Sequence, residues 1–185
     1  MIIGISGFAR SGKDTFYKIF KNIYSKYETI TRVAFADQIK EDLKPLLFSN
    51  FRIDPFSCSN KEKEIIRPLM VSYGTHVARS LDKDFWIKKV KPKIIHNQNN
   101  NFISVITDIR YENEQIFLQK NFKNVHLVHI NRFGFGPANQ EEEENIPLLQ
   151  SNSDYEIHWK SFVNGDDEGI PFIESFINDR IKTRQ

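Results

Sequence analysis

Gly7, Gly12 and Lys13 stand in the spacing Gly–x4–Gly–Lys, with Asp14 and Thr15 directly behind them. That is the pattern of a loop that wraps phosphate. Glycines let the backbone bend until successive N–H groups converge on phosphate oxygens. A helix opening behind the loop adds the partial positive charge of its N-terminus. A lysine at this point supplies a mobile cation for the outer phosphates of a nucleoside triphosphate. Gly7, Ser11, Gly12, Lys13, Asp14 and Thr15 are therefore candidate ligands of such a group. Asp14 occupies the place where Ser or Thr usually holds Mg²⁺. A carboxylate is a hard oxygen ligand that could hold the ion directly or through water. The alternative is that Asp14 caps the helix or faces solvent, which leaves Thr15 to bond a phosphate oxygen.

The other chemistry-bearing residues are mostly arginines. Arg10, Arg67, Arg79, Arg110 and Arg132 fall near predicted strand ends and loops. Asp108 ends an apolar run, where it could orient Mg²⁺ or its waters; a helix N-cap is the alternative. A donor triphosphate and an acceptor monophosphate together carry roughly six negative charges, which several Arg or Lys and Mg²⁺ would have to offset. An acceptor phosphate, with a second pKa of about 6, needs no general base. No Ser/His/Asp or Cys/His set stands out, so positioning and electrostatics would carry the catalysis. Arg110 and Glu114 are four apart; the alternative to a role at the ligand is that they simply pair on one helix face. The five histidines show no ligand spacing, and His126 and His129 flank an apolar strand as structural residues. The Glu141–Glu144 run reads as a solvated stretch, and Lys88, Lys89, Lys91 and Lys93 as an exposed basic helix face.

The elements that must position these residues alternate along the chain. Ile2, Ile3 and Ile5 make a buried strand. Phe16, Phe20, Ile23, Tyr24 and Tyr27 lie on one helix face. Thr31–Ala36 reads as a second strand, followed by a short helix capped by Asp37 that ends near Leu43, before Pro45. Residues 49–60 read as a loop. Ser59 and Glu62 form a capping-box pattern ahead of a helix that buries Ile66, Leu69, Met70, Tyr73 and Val77. A helix from Asp82 or Asp84 should end or kink at Pro92, and 96–101 should be a surface loop. Strands follow at Phe102–Thr107 and Val125–Ile130, with a helix at about Tyr111–Lys120 between them. Arg132–Ser153 is a long irregular connection of the kind that serves as a lid. A short strand near Tyr155–Ile157 and a helix burying Ile173, Phe176, Ile177 and Ile181 close the chain. The alternation predicts an α/β, three-layer fold: a central, mostly parallel sheet flanked by helices. Ligands bind such sheets at the carboxyl ends of the strands, where both Gly7 and Asp108 fall.

Bulk composition is compatible with this reading. The chain has 185 residues, 39% hydrophobic and 27% charged, and a net charge of +2 that exerts no global pull toward nucleic acid. Cys58 is the only cysteine, so no internal disulfide can form; it reads as a buried thiol in a reducing cytoplasm. No apolar run reaches the ~20 residues that span a bilayer, and the chain opens on strand-like residues without a leader pattern.

Taken in order, several motifs resemble the tailed-phage deoxynucleoside monophosphate kinases, distant relatives of adenylate and guanylate kinases. They are Arg10–Thr15 in the loop, Phe35-Ala36-Asp37-Gln38-Ile39-Lys40, and Arg67-Pro68-Leu69-Met70 with Gly74-Thr75. Asp84-Phe85-Trp86, Thr107-Asp108-Ile109-Arg110 with Asn113-Glu114, and Val128-His129-Ile130-Asn131-Arg132 complete the set. The Gly-Lys-Asp form of the loop looks like this family. Two places depart from it: Glu141–Glu144 stand where relatives often carry a His-x-Ser/Thr-Glu lid signature, and His158-Trp159 where they often have Asn-Asp. The resemblance implies one P-loop NTPase-type kinase domain over 1–185, with a substrate-binding helical segment at about 37–95 and a lid-like segment at about 132–153. It implies ATP and Mg²⁺ as cofactors and phosphoryl transfer to a deoxynucleoside monophosphate. Lys13, Arg10, Arg110 and Asp108 would be catalytic, with Asp14 and Asp108 at the metal and Arg132 near the donor's adenine or phosphates. Arg67 and Arg110 would hold the acceptor phosphate, Trp86 would lie against the base, and Asp37, Lys40, Gly74, Thr75 and Glu114 would shape the substrate site. Expected partners are small molecules, without stable nucleic acid or membrane, and a homodimer is compatible with the reading. The expected location is the cytoplasm, that of the host if phage-encoded. Two alternatives stay open: another small-molecule P-loop kinase resembling dephospho-coenzyme A kinase, and a nucleotide-binding regulatory or nucleic-acid-associated ATPase.

Overall fold

Strand β1 (Ile2–Ser6) is buried along its whole length. The computed structural model describes residues 1–163 and 165–181, and in it β1 is the central strand of a sheet. The other strands are β2 (Ile30–Val33), β3 (Ile103–Ile106), β4 (Val125–Arg132) and β5 (Tyr155–Trp159), in the order β2-β3-β1-β4-β5. Every pairing is parallel; Ile3, for example, lies opposite Val105 on one side and His126 on the other. A strand paired on both edges and covered on both faces has no solvent side, so its sequence runs apolar without alternation. Parallel neighbours need crossovers, and helices supply them. This is the expected α/β architecture with a parallel sheet.

Helix α1 (Lys13–Tyr24) lies against the sheet through Phe16, Ile19, Phe20 and Tyr24. Phe16 stacks on Phe20 and Phe20 on Tyr24, while Phe176 meets Phe16 edge-on at 5.6 Å. Phe176 belongs to α7 (Ile170–Phe176), so two helices share one aromatic seam on this face. Tyr27 falls past the end of α1 and is 66% exposed, with its ring still 5.4 Å from that of Tyr24 at the edge of the seam. Beyond the sheet's other face α5 (Glu112–Asn121) and the turn ahead of it come so near that a Cβ on Gly4 would meet Leu118 of the helix at 3.3 Å and Ile109 of the turn at 2.5 Å.

The chain forms two compact units, Met1–Val33 with the chain from Lys93 onward, and Ala34–Pro92. The first holds the sheet. The second is helical: α2 (Phe35–Phe51), α3 (Asn60–Val71), a π-helical stretch Ser72–Arg79, and the start of α4 (Phe85–Asn99). Leu43, Leu47 and Ile66 form its buried cluster, with Ile39, Ile53, Met70, Tyr73 and a half-buried Cys58 packed against them. The expected capping box is present, with Glu62 N–H donating to Ser59 Oγ and Ser59 N–H to Glu62 Oε2. Leu69 and Val77, expected inside, are exposed.

Helices run further than the prolines predict. α2 starts at Phe35, not at an Asp37 cap, and passes through Pro45 to Phe51. α4 passes through Pro92 and takes in most of the expected 96–101 loop. The expected irregular connection contains α6 (Gln140–Ser151), which passes through Pro147. A proline within a helix leaves the carbonyl four residues back without its donor. Glu41, Lys88 and Glu143 occupy those positions and are exposed, so water can take the donor's place. Among the described residues no helix is long and apolar enough to cross a membrane.

His129 of β4 lies opposite Ser6, with Nδ1 2.9 Å from Ser6 Oγ. Burial holds its pKa down to about 4. The folded value lies below the unfolded one, so acidification protonates the unfolded chain first and stability is lost as pH falls from about 6.5 toward 4. The loss at the end of that window is about 3 kcal/mol. His129→Gln should remove most of it. Urea unfolding at pH 7 and pH 4.5 measures this, and an equal acid loss in both proteins would refute the assignment.

Candidate active site

Between β1 and α1 the chain turns through three left-handed residues, Gly7 (φ 138°), Arg10 (φ 64°) and Gly12 (φ 99°). A Cβ on Gly7 would come within 2.4 Å of the Ile130 carbonyl oxygen, and one on Gly12 within 2.7 Å of the Trp159 ring. Both glycines are thus required by dihedral and by space. Arg10 adopts its left-handed conformation at a cost of roughly 1–3 kcal/mol, which the surroundings must offset.

Three side chains hold the loop in that path. The buried Trp159 at the end of β5 donates its indole N–H to the Ser11 carbonyl at 2.7 Å. Arg132 at the end of β4 donates from Nη1 to the Arg10 carbonyl at 2.9 Å and from Nε to Ser161 Oγ at 3.2 Å. Its guanidinium lies 4.5 Å from the centre of the Phe135 ring. Glu142, in the first turn of α6, accepts the N–H of Ala9 at 3.1 Å. Beside this frame an open cleft is lined by Gly12, Thr15, Arg132, Trp159, Lys160, Phe162 and Asp166.

Lys13 opens α1 and folds back, with Nζ donating to the carbonyls of Gly7 and Phe8 at 2.7 Å each. Burial first and the nearby Arg110 second lower its pKa, and Glu142, Asp108 and Asp14 work the other way, for a net value of about 8. Lys13, Arg110, Asp108, Asp14 and Glu142 thus lie in one electrostatic neighbourhood, at the carboxyl ends of β1 and β3. Asp14 is largely exposed, 3.9 Å from Arg32 Nε. Its carboxylate and that of Asp108 are hard oxygen donors, and Mg²⁺ is commonly held by one or two carboxylates plus phosphate oxygens and water. This pair fits that pattern. Among the described residues no cluster of three or more His, Cys, Asp or Glu forms a fuller metal cage.

The Arg110–Glu114 relation differs from the expected side-chain pair. Glu114 is fully buried, and its Oε2 accepts the backbone N–H groups of Arg110 at 2.8 Å and Tyr111 at 3.2 Å. It therefore fixes the turn that carries Arg110, whose residue is exposed. That corrects its placement as a substrate contact: a fully buried carboxylate has no face to offer a ligand.

The remaining expected substrate residues belong to the helical unit. Asp37 and Lys40 pair with each other at 3.7 Å on α2, with Lys40 Nζ 5.3 Å from the Phe56 ring centre. Arg67 is exposed on α3, and Thr75 and Arg79 are half-buried. Gly74 lets the π-helical stretch close on Ile39, whose Cδ1 would lie 2.6 Å from an added Cβ. Trp86 is also a correction. It is fully buried, donates its indole N–H to the Gly74 carbonyl at 2.8 Å, and meets Tyr73 and Phe85 edge-on. No ring face is open for a base. Lys88 and Lys89 are tied to Asp82 and Asp42, each at 2.6 Å.

Two residues at the loop escape a reading of the sequence. Trp159 had a signal, since Tyr155, Ile157 and Trp159 alternate as the inward side of a strand, but the strand is expected to end at Ile157. Glu142 had one too. Asn139 three residues ahead makes a helix start, and Asn139 Oδ1 accepts the Glu142 N–H at 2.9 Å. Its contact with Ala9, 133 positions away, has no sequence signal.

A model of the deoxynucleotide monophosphate kinase family matches residues 47–147. That span contains Arg67, Asp108, Arg110, Arg132 and Glu142 but not the glycine loop, so the loop geometry and the family match are independent observations. No curated protein matches the chain in sequence. Among solved structures, a sugar kinase from a Janibacter species aligns at 10% identity over 96% of this chain and 94% of that one, with a TM-score of 0.51. The APS kinase of Mycobacterium tuberculosis aligns at 11% identity over 96% of each chain, with a TM-score of 0.41. A Thermus thermophilus protein aligns at 11% over 97% of each, with a TM-score of 0.44. The first likeness supports the fold alone, and the other two are too loose to argue from.

Trp159→Phe keeps an aromatic ring over Gly12 but leaves the Ser11 carbonyl without its donor. The expected loss of stability is about 1–3 kcal/mol, read from the urea midpoint. An unchanged midpoint would show that the indole hydrogen bond does not hold the loop.

Proposed function

Since the chain belongs to the deoxynucleotide monophosphate kinase family, a family of phosphotransferases, we propose that it transfers the γ-phosphoryl group of ATP, with Mg²⁺, to a deoxynucleoside monophosphate, giving the diphosphate. The observation that carries this reading is the loop itself, two left-handed glycines at the carboxyl end of the central strand with Lys13 folded onto its carbonyls. Such a loop offers backbone N–H groups and a cation to phosphate and little else, which suits positioning rather than covalent catalysis.

On this reading the donor's phosphates lie against the loop, and its nucleoside end leaves toward the cleft beside Arg132, Trp159 and Phe162. Lys13 moves off the Gly7 and Phe8 carbonyls onto the outer phosphates, where its charge offsets the negative charge that builds up in transfer. Its pKa of about 8 leaves it mostly charged at neutral pH, and a phosphate neighbour raises that pKa and favours the charged form further. Arg10 presents its guanidinium from the same loop. Asp14 and Asp108 would hold Mg²⁺, with Ser11 and Thr15 close to the phosphates; the ion would supply charge neutralisation on the donor's outer oxygens. An oxygen of the acceptor phosphate, already ionised, attacks the γ-phosphorus, and the bond to the bridging oxygen of ADP breaks. No residue has to remove a proton.

Arg110 lies in the field of Lys13, and we assign its guanidinium to the acceptor phosphate, with Glu114 holding its backbone. Arg67 is assigned to the acceptor by family resemblance, as are Asp37, Lys40 and Thr75. Gly74 contributes by the close helix packing it allows.

Lys13→Ala should leave the fold intact and cut turnover at saturating ATP by at least a hundredfold, since removing one preorganised charge stabiliser costs roughly 3 kcal/mol or more of barrier. Near-normal turnover in a coupled assay would rule out the phosphate-loop assignment.

Arg110→Ala and Arg67→Ala should each raise KM for the monophosphate about tenfold or more while leaving KM for ATP within about twofold. Lysine should rescue poorly, because an ammonium lacks the planar fork. Kinetics with each substrate varied separately, screened over the four dNMPs and the NMPs, decide this. Loss of ATP affinity with monophosphate affinity retained would place the arginines on the donor side.

A further inference from the structure

The acidic run at 141–144 contains one residue unlike its neighbours. Glu143 and Glu144 are exposed, whereas Glu142 is 8% exposed, inside the mouth of the phosphate loop. Its Oε2 accepts two backbone N–H groups at 3.1 Å each, one from Ala9 in the loop and one from Ala138 just ahead of α6. A single carboxylate oxygen thus ties the start of α6 to the loop. The bond to Ala9 is of the kind the loop would offer a phosphate oxygen: a backbone N–H of the glycine turn given to an anionic oxygen. Lys13 is engaged by the protein as well, through the Gly7 and Phe8 carbonyls. The loop's donor and its cation are both held by the chain's own groups.

We propose that Glu142 is an internal stand-in for the donor's phosphate, an autoinhibitory latch that ATP must displace, so that donor binding releases the first turn of α6 from the loop. The inference rests on the reading of the loop as the ATP site. The physical reason is competition. A carboxylate and a polyphosphate are both anions, and in a cleft screened from water they repel strongly at a few ångströms. They also need the same N–H. When phosphate arrives the carboxylate leaves, and its second bond, to Ala138, carries the helix start with it. The Asn139 cap on the Glu142 N–H keeps that first turn together as it moves. Lys13 makes the exchange favourable, because it trades two neutral carbonyls for phosphate oxygens.

This contact differs from the other buried carboxylate near the site. Glu114 also accepts two backbone N–H groups, but both lie within its own turn, three and four residues away. Glu142 reaches across 133 positions to the glycine turn. The first arrangement is local architecture, whereas the second links two elements through one oxygen.

The test is calorimetric titration of the full-length protein with Mg·ATP, comparing wild type with Glu142→Gln and Glu142→Ala, together with amide hydrogen exchange of the wild type with and without ATP. Glu142→Gln keeps an oxygen acceptor and removes the charge. The latch predicts that both variants bind ATP more tightly than wild type, by about tenfold, because the self-inhibited state no longer competes. It predicts that ATP makes the Ala138 amide of wild type, which loses the Glu142 carboxylate, exchange faster, while the Glu142 amide stays protected by its Asn139 cap. Weaker ATP binding in both variants, with a higher Mg²⁺ requirement, would overturn it and make Glu142 a ligand of the donor or its metal. Unchanged affinity with unchanged exchange at 138–142 would overturn it and leave Glu142 a plain tether. If wild type and variants alike bind no ATP, the donor reading of the loop falls, and the latch with it. The exchange measurement uses only the wild-type chain, so it decides even if a variant folds poorly.

Discussion

The path of six residues between β1 and α1 constrains the rest of the sheet-bearing unit. With two glycines and one arginine left-handed, the loop turns the carbonyls of Arg10 and Ser11 away from any helical or strand partner. A buried carbonyl such as that of Ser11 is costly when unpaired, and other elements reach both groups. Arg132 arrives from β4 and Trp159 from β5. Both stand at the last positions of their strands, in register opposite one another. The length of those two strands beyond β1 is therefore tied to the loop: β1 stops at Ser6, paired with His129, and β4 continues to Arg132 over the bend.

Two buried carboxylates of the same unit serve as backbone acceptors. Glu114 pins the turn of Arg110 and Glu142 pins the loop. Removing a carboxylate from water is expensive unless several N–H groups replace the lost hydration, and in each case two do. The cation nearby is tuned by the same environment. Lys13 sits in carbonyl-lined, poorly hydrated surroundings that depress its pKa, while the carboxylates around it limit the fall. A lysine so placed gains more from a phosphate than one already fully hydrated.

The helical unit follows a different logic. Its aromatic and apolar residues are spent on holding four helical stretches together, with Trp86 hydrogen-bonded to Gly74 and Gly74 pressed on Ile39. The π-helical turns at Ser72–Arg79 carry the chain past that contact. Residues that look like ligands by type are there shaping the packing, whereas Arg67 remains exposed.

Much of this was legible in the chain alone. β1, the glycine loop, α1 and the alternation of strands with helices follow from local chemistry: β-branched runs, glycine dihedrals and apolar residues at helical spacing act over a few residues. The candidate roles of Lys13, Asp108 and Arg110 follow from their places at strand ends in such a pattern. The long-range partners were not legible. Prolines at 45 and 92 signalled helix ends that did not occur, and the helix through Pro147 was read as an irregular connection; the residues four back are exposed, and exposure is a property of the packed chain. Trp86 and Glu114 carry the right chemistry for a binding site but lie in the interior, and type alone cannot separate the two outcomes. Glu142 and Trp159 touch the loop from 133 and 148 positions away. The sequence by itself singled out the segment proposed to bind phosphate, since that proposal rests on dihedral freedom and charge within nine residues of the chain, Gly7 to Thr15. Only the tertiary structure decided what holds that segment in shape, because those contacts depend on which distant strand ends and helix start the packed chain brings beside it.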